Sequence, residues 1–309
     1  MPRPDVAPLA APRSGASAQR PIGLVAGWGR YPVVVAQALS RQGFAVHCLG
    51  VEGHADPGLS HWCADYATIG VGKLGRAIRY FHRHNVARAT LAGKFHKTLL
   101  FRRGLWIRHL PDWRTIKCFY PHLLLSRKDR KDDTLLTALV DAFAADGICF
   151  EPATDYAPEL LVRYGKLTAR GPTAAQCRDI EFGWNVAKEM GRLDIGQSVA
   201  VKDRATIAVE AIEGTDACIA RAGTLCQSGG FTLVKVAKPR QDMRFDVPTI
   251  GLGTVENLVQ AGGRVLAVEA GRTIIIDEQE VVQFANRHNL AIVALEKSGL
   301  IEHNPAFAN

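Results

Sequence analysis

Several features that would place this 309-residue chain quickly are missing from it. No apolar stretch approaches the roughly 18–20 residues that a membrane-spanning helix needs. No two of its seven cysteines (48, 63, 118, 149, 177, 218 and 226) form a CxxC pair. Their odd number and scatter argue against a disulfide framework or a structural zinc site, and suit a reducing compartment. The ten histidines include no HExxH. His82 and His84 stand two apart on a predicted helix and so point to different faces, which argues against a metal site built from histidine. The first twenty residues are rich in Pro, Ala, Ser and Arg and have no apolar stretch of the secretory kind. They read as a disordered extension rather than a transit peptide. There is no internal repeat and no heptad pattern.

What is present is the composition of a globular protein, 47% hydrophobic and 22% charged, long enough for one large domain or two ordinary ones. The net charge of +8 is concentrated in one place. Residues 94–131 carry eleven Lys or Arg against two acids, leaving 27 basic and 28 acidic residues elsewhere. Within this patch the charges alternate with Phe95, Phe101, Trp106, Trp113, Phe119 and Tyr120. Three readings stay open: contact with a lipid or an anionic membrane surface, a solvated loop, and nucleic-acid binding, the last the weakest.

Periodicity predicts an α/β protein. A short apolar strand from Ile22 runs into Gly27-Trp28-Gly29-Arg30-Tyr31-Pro32. A helix follows with Val33, Val34 and Ala38 on one side, then a strand over Phe44 to Val51. Strand, Gly-rich turn, helix, strand is the opening of a Rossmann-like βαβ unit. A helix–strand pair follows, then a helix over Asp132 to Asp146 with Leu135, Leu136, Leu139 and Phe143 inward. GICFEPAT is the strand that closes the first domain. After Ala174–Met190, a helix, the pattern changes. SVAVKDRATIAVEA alternates as a hairpin turning at Lys202-Asp203-Arg204, and alternating helices and strands run to a last helix over Glu278 to His288. The predicted organisation is an extension (1–20), a Rossmann-like domain (21–157), a linker (158–173), a mixed α/β catalytic domain (174–300) and a tail (301–309).

Several motifs could carry chemistry. Gly27-x-Gly29-x-x-Pro32 falls one glycine short of the dinucleotide fingerprint. It suits either close approach to a phosphate or a plain turn, and Pro32 disfavours NAD. Lys131-Asp132-Asp133 opens a helix, where Asp132 can cap or can serve a phosphate or metal. Glu213-Gly214-Thr215-Asp216 precedes a helix, so Thr215 or Asp216 can cap it or contact an anionic substrate. The densest cluster is KVAKPRQDMRFDVPTIG, Lys235 to Gly251. After a buried strand it sets Lys235, Lys238, Arg240, Gln241, Asp242, Arg244 and Asp246 in a loop bracketed by Pro239 and Pro248. Cations can neutralise a diphosphate, and a carboxylate can hold Mg2+ or take a proton from water. A surface loop of Arg–Asp pairs is the alternative.

This loop, with GTVENLVQAGGRVLAVEAGRTIIID (Gly253 to Asp277), closely resembles the UDP-2,3-diacylglucosamine pyrophosphatases of the LpxI type. The resemblance runs from about Ile22 to Glu296. It takes in IGLVAGWGRYP, the KDD helix start at Lys131, Gly196-Gln197-Ser198-Val199, and Ala208 to Gly223 with Glu210 and Glu213–Asp216. It implies Mg2+-dependent hydrolysis of UDP-2,3-diacylglucosamine to UMP and 2,3-diacylglucosamine 1-phosphate in lipid A synthesis, with water attacking the sugar-side phosphorus. By the same resemblance Asp242 is the essential, metal-holding aspartate, with Asp246 in reserve. The substrate-binding set is Gly27, Gly29, Lys94, Lys131, Asp132, Gln197, Thr215, Asp216, Lys238, Gln241 and Arg244. The implied partner is a lipid-linked UDP-sugar, with no nucleic acid. The implied place is the cytoplasm, with peripheral contact at the inner face of the inner membrane, and a homodimer is compatible with it. Two departures stand out: residues 96–126 are longer and more basic than the family leads one to expect, and the first twenty residues are extra. Rival functions are another sugar-nucleotide enzyme such as a glycosyltransferase, and a non-catalytic nucleotide-lipid binding protein.

Overall fold

The computed structural model describes residues 20–94, 110–124 and 132–296. Lys131, most of the basic aromatic segment, the N-terminal extension and the C-terminal tail lie outside the described residues.

The first sheet is formed by β1 (Arg20–Ala26), β2 (Phe44–Val51), β3 (Asp65–Ile69), β4 (Arg88–Ala92) and β5 (Cys149–Phe150). Their order is β3-β2-β1-β4-β5, and every pair is parallel. Alternation along the strands sorts their side chains to two faces. Ile22, Leu24 and Ala26 of β1, with Val46 and Cys48 of β2, pack under Val35, Ala36 and Leu39 of α1 (Tyr31–Arg41). On the other face Leu49, Ala89 and Leu91 meet Ile78 and Phe81 of α2 (Leu74–Arg83). That face also holds α3 (Trp113–Leu124) and α4 (Asp132–Ala144), whose Val140 and Phe143 are buried against it. Each such side chain fully buried contributes roughly 1.5–3 kcal/mol. Helix α1 is buried nearly all round: Val35, Ala36 and Leu39 join Val33 and Ala38 in the core, while Val34 is only half-buried.

The short α5 (Ala153–Tyr156) leads into residues 158–173, the segment predicted as a linker. Part of it is built into the second sheet. There β6 (Gly165–Lys166) pairs antiparallel with β13 (Ala291–Leu295), and Leu161 bridges Ile274.

The second sheet has the order β6-β13-β11-β9-β7-β8, with β7 (Ser198–Lys202), β8 (Ala205–Val209), β9 (Thr232–Lys235) and β11 (Val265–Glu269). Strands β9, β11 and β13 are parallel, and β7 runs against β9 and β8. Helix α6 (Ala174–Arg192), started by a Thr173–Gln176 capping box, covers one face with Ile180, Trp184 and Ala187. Helices α7 (Thr215–Leu225), α8 (Leu252–Gln260) and α9 (Glu278–Arg287) cover the other. With both faces covered, β11 and β13 are buried along their whole length, which is why their sequences are apolar throughout except for Glu269 at the end of β11. A two-stranded parallel piece, β10 (Thr249–Ile250) with β12 (Ile274–Ile275), completes the architecture. Among the described residues no helix is long and apolar enough to cross a membrane.

Candidate functional site

In a sheet of parallel strands the carboxyl ends gather on one edge, and ligands bind beyond that edge where the connections diverge. In the first sheet the chain leaves β1 toward β2 on one side and returns to β4 on the other. The loops after β1 and β4 are joined by backbone hydrogen bonds, Trp28 N–H to Lys94 O at 2.9 Å and Lys94 N–H to Trp28 O at 3.0 Å. Gly27 makes this approach possible, since a Cβ there would stand 2.7 Å from the Lys94 carbonyl oxygen. Its first role is therefore packing of one loop on the other. Gly29 differs: its φ of +105° favours glycine, and the space beside it is open. Pro32 lies in the first turn of α1, as predicted.

In the second sheet β9 ends on Lys235, whose side chain is buried. Its partner in register is Ser198, at the start of the antiparallel β7. The strand β8 finishes at the same edge and delivers Glu210, whose N–H donates to Ser198 O at 2.9 Å. A Cβ on Gly196 would lie 2.1 Å from the Glu210 carbonyl oxygen, so only glycine lets these chains come this close. The Lys235 ammonium donates to Thr215 Oγ1 at 2.8 Å, and the Thr215 hydroxyl donates to Glu210 Oε1 at 2.9 Å.

Of the two roles open to Thr215, the cap is not the one it takes. Helix α7 starts at Thr215 itself, behind Gly214 with φ of +85° and no side-chain cap. The hydroxyl is instead the middle of a relay joining a buried lysine to a buried carboxylate. Burial holds the Lys235 ammonium below the ordinary lysine value, and nearby Lys94 adds to the effect. Glu210, Asp216 and Asp246 act the other way. Lys94, in the loop after β4, thus lies within electrostatic reach of Lys235, as do Glu210, Asp216 and Asp246 of the second domain. Two buried acceptors here, Glu210 Oε2 and Gln197 Oε1, have no hydrogen-bond partner. Orphaned buried polar atoms are rare and mark where a ligand, water or ion is needed.

The Lys235–Gly251 loop is stiffened by more than its prolines. The Lys238 N–H donates to Gln241 Oε1, and Gln241 Nε2 donates to Asp246 O, both at 2.6 Å. Lys238 Nζ lies 2.8 Å from Asp194 and 3.7 Å from Asp246. At the loop's entry, Glu269 Oε2 accepts from Ala237 N–H and Lys188 Nζ, each at 2.7 Å. Phe245 packs against the core under the first sheet. The two candidate aspartates are held differently. Both oxygens of Asp242 are taken by Arg244, at 2.9 to 3.1 Å from Nε and 2.6 Å from Nη2. That guanidinium holds the Asp242 carboxyl below its ordinary value. Asp246 belongs to the charge environment of Lys235 and Lys238 instead.

The structure thus brings together Lys94, Gln197, Thr215, Asp216, Lys238, Gln241 and Asp246, with Asp242 and Arg244 paired on the same loop. The Gly27–Gly29 turn is joined to Lys94. Asp132 begins α4, while its side chain, like Lys131, lies outside the described residues. Two further groups belong here: Lys235, which the sequence places in the charged loop but not in the substrate-binding set, and Glu269, which it does not single out. Each is a charged residue ending an otherwise apolar buried strand, TLVK and VLAVE, and that interruption was a usable signal.

Residues 21–160 match the family model described as the LpxI N-terminal domain, and residues 163–293 match the LpxI C-terminal domain. The chain is 31% identical over 284 residues to a protein of Caulobacter vibrioides, covering 90% of this chain and 98% of that protein. It belongs to the LpxI family. The Caulobacter relative is named UDP-2,3-diacylglucosamine pyrophosphatase LpxI. The boundary between the two LpxI domain matches falls at residues 160–163, where the chain passes from the first sheet to the second.

Proposed function

We propose that this LpxI protein hydrolyses the diphosphate of UDP-2,3-diacylglucosamine, releasing UMP and 2,3-diacylglucosamine 1-phosphate for lipid A assembly. The observation that carries the reading is the end-to-end match to the Caulobacter pyrophosphatase. The site geometry supports it independently. A buried ammonium near a second lysine is costly for a fold on its own, and a diphosphate offsets that cost. Lys235, Lys94 and Lys238 neutralise the diphosphate, and the open space beside Gly29 receives part of the nucleotide. The first sheet, whose connections diverge on either side of β1, is read as the Rossmann-like half.

The residues also fit a Mg2+ ion. Glu210 has an unpartnered buried oxygen, and Asp216 and Asp246 lie close to the same lysine. Mg2+ is held by one or two carboxylates together with substrate phosphates, so these acids and the diphosphate would share it. When bound, it would polarise the phosphoryl oxygens. Asp246 is then the carboxylate that faces the reacting phosphorus and orients water for attack on the sugar side. Asp242 holds Arg244 and sets the loop. Trp113, 78% exposed, with Leu110 and Ile116 beside Arg114 and Lys117, suits peripheral contact with an anionic bilayer that delivers the acylated substrate.

The test is to incubate purified protein with UDP-2,3-diacylglucosamine and Mg2+ or EDTA. UMP formation with Mg2+ is expected. Release of UDP on adding a sugar acceptor would make it a transferase, and unchanged substrate with and without acceptor would make it a binding protein.

A further inference from the structure

At the opposite, amino-terminal edge of the first sheet, two histidines and an aspartate converge from three elements. His47 lies on β2, its register partner Asp65 opens β3, and His84 follows the end of α2. Their ligand atoms all lie within 4.8 Å of one another, a convergence seen for no other such group among the described residues. No spacing rule could find it, because His84 joins residues 37 and 19 positions away rather than its neighbour His82.

We propose that His47, Asp65 and His84 form a binding site for a divalent transition-metal ion, with Zn2+ the best chemical fit. Two imidazoles and one carboxylate are the donor types that Zn2+ takes in three-ligand sites. The rings of His47 and His84 stack at 4.3 Å and 25°, and Nε2 of His84 lies 3.2 Å from Asp65 Oδ2. His47 Nδ1 is buried and has no hydrogen-bond partner, so a donor atom is already desolvated and uncommitted. The Tyr80 hydroxyl donates to Asp65 Oδ2 at 2.8 Å, the kind of outer contact that orients a ligating carboxylate. The carbonyl end of α2 adds partial negative charge. A tetrahedral ion needs its donors about 3.3 Å apart, so these donors, now within 4.8 Å of one another, draw together on binding. Asp65 and His84 also line a cavity of about 410 Å³ together with Arg76, Arg79 and Arg83. Their charge suits an anion or hydroxide as fourth ligand.

The full-length protein, stripped with EDTA and returned to Mg2+ so that its other carboxylates are occupied, is titrated with Co2+ and with Zn2+. Co2+ reports its ligands through its visible absorption bands, and calorimetry reads Zn2+. A single ion per chain is expected. Tyr80→Phe weakens it about tenfold, and His47→Ala, His84→Ala and Asp65→Asn weaken it further. Asp65→Asn still accepts from Tyr80, which guards against a folding artefact, and His82→Ala is the neutral control. Absorption and affinity unchanged in the His47→Ala/His84→Ala double variant would place any bound ion elsewhere and overturn the proposal. So would the absence of saturable binding in the wild type.

Discussion

Lys235 Nζ lies 2.8 Å from Thr215 Oγ1, tying the end of a buried strand to the first residue of the helix beside it. The contact carries the Lys235 charge to the edge where Lys94, Asp216 and Asp246 also come together. Lys235→Met keeps most of the volume and removes the charge. Loss of one preorganised donor to a transition state costs about 10²–10³ in rate, so kcat/KM is expected to fall by that much with the fold retained. A drop of less than about tenfold would remove Lys235 from the chemistry.

The same substitution has a pH signature. The folded-state value of Lys235 is lowered by burial, so between that value and the ordinary lysine value the unfolded chain holds more protons. Wild-type stability therefore rises with pH through that alkaline window, and the Lys235→Met protein lacks that rise. Urea unfolding at several alkaline pH values measures the difference.

Thr215→Val removes the middle of the relay and leaves Lys235 and Glu210 Oε1 without this partner. Leaving buried polar groups unpaired costs about 1–3 kcal/mol. Thr215→Ser keeps the hydroxyl and should hold most of that stability. Equal losses from the two would refute the relay.

Asp242 and Asp246 are separable by what Arg244 does. If Asp242 acts by holding Arg244, then Asp242→Asn and Arg244→Ala give similar defects, and the double variant is little worse than either. Asp246→Asn loses turnover regardless of Arg244. The lowered folded-state value of Asp242 also gives a sign: its stabilising contribution is present above the ordinary aspartate value and is lost as pH falls through the lowered one. Arg244→Ala removes that acid-side loss.

Glu269→Ala strips Lys188 and the Ala237 N–H of their acceptor at the entry to the loop. Removing one partner of a buried pair costs about 3–5 kcal/mol. Lys188 reaches partly into solvent, so the lower end is expected in thermal or urea unfolding.

The α/β class, the opening β1–α1–β2 unit and the hairpin of β7 and β8 were legible because periodicity and Gly or Pro punctuation mark them directly. Strands β3 and β13 were not. β3 begins with the half-buried Asp65 and Tyr66 at a sheet edge, and β13 is a five-residue apolar run that periodicity alone does not assign. In the site, the charged loop was evident by composition. Its division of labour was not, because Arg244 and Asp242 neutralise each other only once the backbone turns. Lys235 and Lys94 lie 141 positions apart in the chain, so their meeting depends on how the two sheets face one another.

The most direct measurement is hydrolysis of UDP-2,3-diacylglucosamine in ¹⁸O-water with Mg2+, with both products read by mass spectrometry. The account predicts unlabelled UMP and 2,3-diacylglucosamine 1-phosphate carrying the label, as attack on the sugar-side phosphorus requires. Label in UMP would contradict the proposed direction of attack, and intact substrate or released UDP would contradict the function itself.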